Sequence, residues 1–247
     1  MLLSAIEQGY SVCAYSGELT KEKFQEWINF QLAGSEYIGL KFDPTRGIQV
    51  PFVPFAVQER LLDYYRDRFY LFDNQEIFES NQSESILQVF QMAARRYGCK
   101  LFLADNLMTA LSDSDEETKA QSRFANALKK FATRYHVHVL LVAHPRKVKM
   151  GEKLGQDDIG GSSATIRLAD SAIVVERPNL RIIKNRDDGV RRVIECCYCP
   201  DSRRIYQADK GDLCSFSWDK TGITKPSPRA DSLPEYAVRM ADGSQPF

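Results

Sequence analysis

Lys100-Leu-Phe-Leu-Ala-Asp105, Val137-His-Val-Leu-Leu-Val-Ala-His144 and Leu180-Arg-Ile-Ile-Lys-Asn-Arg186 are three short apolar runs, each ending on a polar side chain. Leu101 to Ala104 is continuously apolar and too short for a helix, the pattern of a central parallel strand covered on both faces. Ligands of open α/β sheets bind outside the carboxyl ends of parallel strands, so residues at such tips converge on one crevice.

Working outward, Met1 to Gln8 reads as the tail of an amphipathic helix closed by Gly9, and Tyr10 to Tyr15 as a buried strand. A chain that opens in this way is expected to be truncated at its amino end. Ser16-Gly17-Glu18 is a strand exit, and Thr20 an N-cap for a helix with Phe24, Trp27, Ile28 and Leu32 on one face, ending near Gly34. Asp43 to Val53, with Pro44, Gly47 and Pro51, reads as a loop, followed by a helix from Pro54 to Arg66 and a strand from Arg68 to Phe72. Ile86, Leu87, Phe90, Met92 and Ala93 mark another helix, stopped by Gly98; Thr118 to Tyr135 is the next, with an acidic entry at 113–117. The order strand, helix, strand, helix, strand defines an open α/β sheet. Beyond it come a basic loop from Pro145 to Gln156, a helical turn from Ser162 to Leu168, and strands at Ser171–Val175 and Arg181–Lys184. A hairpin of Arg192–Cys199 and Arg203–Tyr206 follows, so the fold finishes with antiparallel strands. Residues 1–218 are expected to form one domain and 219–247 a flexible, Pro- and Ser-rich tail.

With 33 basic and 33 acidic side chains the chain is neutral overall, so global charge gives no support for nucleic-acid binding and any such site must be a local patch. Six cysteines with no paired Cys-x-x-Cys spacings, Cys196 and Cys199 having no second such pair to match them, suit a reduced, cytoplasmic protein. Cys196-Cys197-x-Cys199 is disfavoured as a metal cluster, because adjacent residues of a strand point to opposite faces. No apolar stretch reaches the roughly 20 residues of a membrane span, and the start lacks the cationic region of a signal peptide.

Asp105 has the placement of a carboxylate that holds Mg²⁺ beside nucleotide phosphates, and equally that of a strand-ending Asp capping the next turn. Glu18, at the exit of the neighbouring strand, is placed to orient and deprotonate a water; Glu near a strand end is also commonplace. His144 at a strand tip is suited to hydrogen-bond a γ-phosphate and report its loss to the basic loop that follows, or to be a satisfied structural histidine. His138 is expected to pack in the sheet and His136 to be exposed.

Asp158-Ile-Gly-Gly-Ser-Ser-Ala-Thr-Ile-Arg-Leu-Ala-Asp170, then Ser-Ala-Ile-Val-Val-Glu-Arg177 and Ile182-Ile-Lys-Asn-Arg186, resembles the core of the hexameric DnaB-like replicative DNA helicases, phage primase-helicases included. Leu101-Phe-Leu-Ala-Asp105-Asn resembles their Walker B strand, Ala143-His144 the sensor strand tip, and Ser16-Gly17-Glu18 the catalytic-glutamate turn. The resemblance runs in consistent order from Met1 to about Tyr206. It implies a RecA-like, mostly parallel sheet flanked by helices, with antiparallel strands at the C-terminal edge. It also implies a ring that couples ATP hydrolysis, with Mg²⁺, to translocation on single-stranded DNA and duplex unwinding during DNA replication, with primase and a helicase loader as partners. Glu18 would be the base for water attack, Asp105 the Mg²⁺-associated carboxylate, directly or through water, and His144 the γ-phosphate sensor. Arg186, with Lys184, would act on the neighbouring subunit's nucleotide as an arginine finger. DNA contacts would fall on Arg146, Lys147, Lys149 and Lys153 and on the amides of Gly160, Gly161 and Ser162.

Two departures stand beside the resemblance. Arg167 occupies a position where the family often carries Gln; a DNA contact or a signal to the nucleotide is the role it would inherit. No Gly-rich loop ending in Gly-Lys-Ser/Thr occurs in the 247 residues, and that loop supplies most of the grip on the β- and γ-phosphates. Two other readings therefore stay open: a RecA- or RadA-type recombination ATPase, and a degenerate ATPase fold serving as a DNA-binding or scaffold protein.

Overall fold

Val12–Ser16 forms a strand, β1, whose five residues are all buried, and the rest of the domain is arranged around it. The computed structural model describes residues 1–72, 82–107, 117–144, 163–176 and 179–219. Ahead of β1 lies a short helix, α1 (Leu2–Glu7), closed at Gly9 with φ +87°, a conformation glycine adopts at little cost. After it comes α2 (Lys21–Ala33), capped by Thr20, whose hydroxyl accepts from the Lys23 amide, and ended by Gly34 at φ +67°. An antiparallel hairpin, β2 (Gly39–Asp43) and β3 (Ile48–Phe52), then leads into α3 (Phe55–Tyr65) and β4 (Phe69–Phe72). The chain continues through α4 (Gln82–Arg96), β5 (Leu101–Asp105), α5 (Glu117–Tyr135) and β6 (His138–Leu141).

β4, β1, β5 and β6 form one parallel sheet in that order, with Ser16 opposite Asp105 at the carboxyl ends. Alternation along the central strands divides the core in two. Val12 and Ala14, with Leu101 and Leu103, face the layer of α1, α2 and α3. Cys13 and Tyr15, with Phe102 and Ala104, face α4 and α5, where Phe90, Phe102 and Phe131 pack ring against ring. Apolar walls on both sides explain why these strands read as unbroken hydrophobic runs. Burial also pushes the Cys99 thiol up to about 11 and the Cys13 thiol further, so both stay protonated and unreactive.

Beyond the parallel sheet lie α6 (Ser163–Leu168), β7 (Ser171–Glu176), β8 (Asn179–Asn185), β9 (Val193–Ile194), β10 (Cys196–Cys199) and β11 (Arg204–Gln207). The expected antiparallel strands are present, but they form two separate sheets, β7-β8-β9 and β10-β11, and do not extend the parallel one. The single strand read from Arg192 to Cys199 is divided: Val193–Ile194 pairs with β8, and Cys196–Cys199 with β11.

Two further expectations are corrected. The Asp43–Val53 stretch is half of the β2–β3 hairpin and not a loop. Its punctuating residues belong to the turn, where Asp43 Oδ1 accepts from the Thr45 and Arg46 amides, and Pro51 is tolerated because both strands of a two-stranded sheet have a free edge. His138 is exposed, because it opens β6, a strand at the end of the sheet order with β5 as its one paired neighbour among the described residues. The residues from 220 onward, expected as a tail, lie outside the described residues.

The segment after β11 straps the α1–α3 layer. Trp218 is buried, donates its indole N–H to the Leu32 carbonyl at 2.9 Å and sets its ring edge-on to Tyr37 at 4.8 Å. Arg204 reaches the same helix end, donating to the carbonyls of Gln31 and Leu32 while pairing with Asp212. These contacts satisfy the carbonyls that the end of α2 leaves open. Trp218→Ala is expected to lower unfolding free energy by about 3–5 kcal/mol, read as a shift in the urea midpoint, whereas a surface change such as Lys210→Ala should leave the midpoint nearly in place.

Candidate active site

The parallel register sets the exits of β1 and β5 side by side, and short hydrogen bonds stitch them together. The Gly17 amide donates to the Asp105 carbonyl at 2.6 Å. Ser16 Oγ donates to Asp105 Oδ2 at 2.9 Å and accepts from the Leu19 amide at 3.2 Å. That turn fixes where Glu18 leaves the strand. On the other side of β5, the Val142 amide donates to the Ala104 carbonyl and the Leu107 amide to the Val142 carbonyl, which carries the chain after β6 to His144 beside the same rim.

Glu18, Asp105 and His144 therefore gather at one rim of the sheet. Asn106, which follows Asp105 across a cis peptide bond and is 1% exposed, sits between the other two. Its side-chain amide donates to Glu18 Oε1 and lies 2.8 Å from His144 Nε2; His144 Nε2 in turn lies 2.7 Å from Glu18 Oε1. One ring nitrogen cannot serve both neighbours in the same way. With a proton on Nε2 it donates to Glu18; without one it accepts from Asn106. Glu18 and His144 are both about half exposed, so a ligand at the rim can reach them.

Asp105 is partly buried, and that desolvation raises its carboxyl above the ordinary value; the Ser16 hydroxyl opposes the shift, the nearby Glu18 charge adds to it and His144 opposes it. These two neighbouring carboxylates have no Lys or Arg hydrogen-bonded to them among the described residues, which makes a place where a hard divalent cation would be stabilised. Carboxylate and hydroxyl oxygens are the donors Mg²⁺ takes, and although among the described residues no three His, Cys, Asp or Glu side chains converge as a metal-binding group, Asp105 with Ser16 fits an ion that keeps most of its shell as water and phosphate oxygens.

Lys184 and Arg186 lie elsewhere, on β8 and just past its end, and both turn toward the carboxyl end of α6. Lys184 Nζ donates to the Ile166 carbonyl at 2.5 Å and the Arg167 carbonyl at 3.2 Å; Arg186 Nη2 donates to the Arg167 carbonyl at 2.5 Å. Cations at this end are favoured by the exposed carbonyls of the last turn. Arg186 also reaches Asp170 at 3.4 Å, and Lys129 of α5 bonds the same carboxylate. The hydrogen bond from Lys129, ahead of the Arg186 charge, holds the Asp170 carboxyl below its usual value. Half of the Arg186 side chain is open to solvent. Arg167 is exposed; Arg146, Lys147, Lys149, Lys153, Gly160, Gly161 and Ser162 lie outside the described residues.

Sequence reading assigned no role to Asn106 or to the Lys129–Asp170–Arg186 cluster. A polar residue directly after the Asp105 tip was the available signal for Asn106. Nothing in the sequence placed Lys129, in the interior of an amphipathic helix, opposite Asp170.

No known family model matches the chain. Among solved structures, a DnaB-like replicative helicase determined for its interactions with primase superposes over 83% of this chain and 53% of its own, with TM-score 0.63 and 14% identity. A second structure, of an ATPase domain, superposes over 81% of this chain and 75% of its own, with TM-score 0.61 and 14% identity. A KaiC-like protein from Pyrococcus horikoshii covers 83% and 80% with TM-score 0.51 and 10% identity. The chain carries the RecA-type α/β fold of ATPase domains. Within that class it has the fold of a DnaB-like helicase ATPase domain, and it spans about half the length of the DnaB-like helicase it matches.

Two outcomes follow from the geometry. A lowered Asp170 carboxyl contributes stability above the ordinary carboxylate value of 3.8, and that contribution disappears as pH falls through the lowered folded value. Asp170→Asn should therefore be less stable than the parent at neutral pH, by under about 1 kcal/mol given its exposure, with the two converging in strong acid; urea melts across pH measure the gap. Asn106→Ala removes one of the two partners of His144 Nε2, so the Nε2 nitrogen resonance of His144 should move while those of His136 and His138 stay fixed.

Proposed function

We propose that the chain is the motor core of a DnaB-like helicase, hydrolysing ATP with Mg²⁺ and coupling hydrolysis to movement along single-stranded DNA in a ring of subunits. The observation that carries the proposal is the shared rim: Glu18, Asp105 and His144, separated by up to 126 residues, meet within hydrogen-bonded reach of one another or of Asn106 and Ser16. Glu18 is the base that orients and deprotonates the attacking water. Asp105 holds the Mg²⁺-associated position, and His144 senses the γ-phosphate.

The Asn106 contact gives this assignment a working order. With the rim as it stands, Glu18 Oε1 is engaged by Asn106 and by His144. When His144 turns to a phosphate oxygen, Glu18 loses one donor and regains a lone pair for water. The base is thus freed by the same side chain that detects the substrate.

Arg186, with Lys184, serves the site of a neighbouring subunit as an arginine finger, for which release from the end of α6 is required. The basic 146–153 segment, the amides of 160–162 and Arg167 hold the DNA backbone. A hexameric ring, a primase and a helicase loader are the partners this reading implies, and the cytoplasm is its location. Among the described residues no helix is long and apolar enough to cross a membrane.

A second reading rests on the absent Gly-Lys-Ser/Thr loop: the chain binds DNA and does not hydrolyse nucleotide. Mg·ATP binding and turnover separate the two. The 247-residue chain alone is expected to bind Mg·ATP weakly and turn it over hardly at all. With a Gly-rich loop ending in Gly-Lys-Thr grafted ahead of Leu2, turnover stimulated by single-stranded DNA should appear. In that background Glu18→Gln should lower kcat by about 10²–10⁴ and Arg186→Ala by about 10³ with nucleotide binding retained. Full turnover in the Arg186 variant would remove the finger, and no turnover in the graft would favour the second reading.

A further inference from the structure

The chain is electrically neutral, yet one outer face of the domain is not. From Thr118 to Gly151, and again from Ser85 to Ala104, no Asp or Glu occurs. The first stretch includes nearly all of α5, whose exposed side chains include Arg123, Lys130 and Arg134; at spacings of seven and four they form a single outward stripe. Arg95 and Arg96, in the last turn of α4, are exposed beside its carboxyl end. The two helices meet there. The guanidinium of Arg95 lies 5.5 Å from the Tyr135 ring centroid and that of Arg134 lies 5.9 Å from it, so one aromatic ring supports both.

None of these five cations is paired with a carboxylate among the described residues. Asp170, the acid that does face α5, is taken by Lys129 and Arg186. Next to the ridge, Tyr97 is 36% exposed and stacks on Tyr70 with ring centroids 4.3 Å apart, and Arg96 lies 5.6 Å from the Tyr97 ring.

We infer that this α4–α5 ridge is a second nucleic-acid surface, separate from the carboxyl rim, which holds the phosphodiester backbone of a single strand. From Arg123 to Arg134 the ridge runs about 16 Å along the helix axis, at about 1.5 Å per residue. For a strand that keeps the stacked rise of one phosphate per about 3.4 Å, as each strand of a duplex does, that length spans at most roughly five phosphates. Four or five unpaired cations therefore match four or five charges without reading bases. The aromatic pair decides between nucleic acid and an acidic protein as occupant. A partly exposed tyrosine pair with a guanidinium beside it offers aromatic surface for a base, which a polycarboxylate lacks. No nucleotide at the rim is required, so the inference stands apart from the motor reading.

The test uses the full chain and a fluorescein-labelled oligothymidylate followed by anisotropy across a salt series. The parent protein should show a log K against log salt slope of about −3, since each neutralised phosphate of a single strand contributes about −0.7. The combined variant Arg95→Gln, Arg123→Gln, Lys130→Gln, Arg134→Gln should bind at least about 30-fold more weakly at low salt, with the slope nearly flat. Lys130→Glu alone should weaken binding several-fold, and Tyr97→Ala should cost roughly five- to tenfold with the slope unchanged. All the substituted side chains are exposed, and the Trp218 fluorescence melt checks that the fold persists.

Lys147→Gln with Lys149→Gln forms the arm for the motor reading: loss of binding there and not in the ridge variants overturns the ridge and leaves the motor reading standing. Parent-like affinity and slope in the combined ridge variant overturn the ridge outright. So does displacement of the oligothymidylate by polyglutamate at equal charge concentration, which would make an acidic protein the occupant.

Discussion

The burial of β1 on both faces and between two strands is the constraint on which the rest depends. A strand with β4 on one side, β5 on the other and a helical layer above and below has no freedom of register, because a one-residue slip would exchange Val12 and Ala14 with Cys13 and Tyr15 across the sheet. Fixing β1 fixes Ser16 opposite Asp105, and that pairing delivers Glu18 to the mouth of the sheet. The rim chemistry is a consequence of core packing several residues away.

The same geometry sets a limit on what the rim side chains do simultaneously. Glu18, Asn106 and His144 converge on too few lone pairs and protons for every contact to be made at full strength, since one imidazole nitrogen is either donor or acceptor. The network has two alternative arrangements, distinguished by whether His144 Nε2 donates to Glu18 or accepts from Asn106. Under the motor reading, that choice lies at the point where a phosphate would arrive.

The strand tips were legible in the sequence because apolar runs flanked by polar termini have few structural meanings, and Asp105, Glu18 and His144 were found from them. The α2 cap at Thr20 and stop at Gly34 were legible for a local reason: each satisfies backbone groups within its own turn. What escaped was set by tertiary context. Pro51 reads as a loop residue unless its strand has a free edge, and His138 reads as packed unless its strand lies at the sheet boundary. Val193 to Cys199 reads as one strand, but Ile194 and Cys196 join different partners. The Asp170 cluster and the α4–α5 ridge arise where elements distant in sequence meet, which periodicity within any one of them does not reveal.

Charge distribution separates the two faces of the domain. At the rim, Glu18 and Asp105 repel a triphosphate unless cations are supplied, and burial already raises the Asp105 carboxyl. At roughly 4 Å separation and an effective dielectric of about 20, each unit-charge pair is worth about 4 kcal/mol, so two uncompensated carboxylates are a large barrier to a polyanion. Arg186 and Lys184 do not lower it within one subunit, because they are committed to the end of α6 and, for Arg186, to Asp170. Under the motor reading proposed above, nucleotide affinity would therefore come from Mg²⁺, from a phosphate loop, or from a neighbouring copy that competes for Arg186. The ridge has the opposite character, with cations already unpaired and supported on tyrosine rings, so a polyanion lands there with no carboxylate to displace.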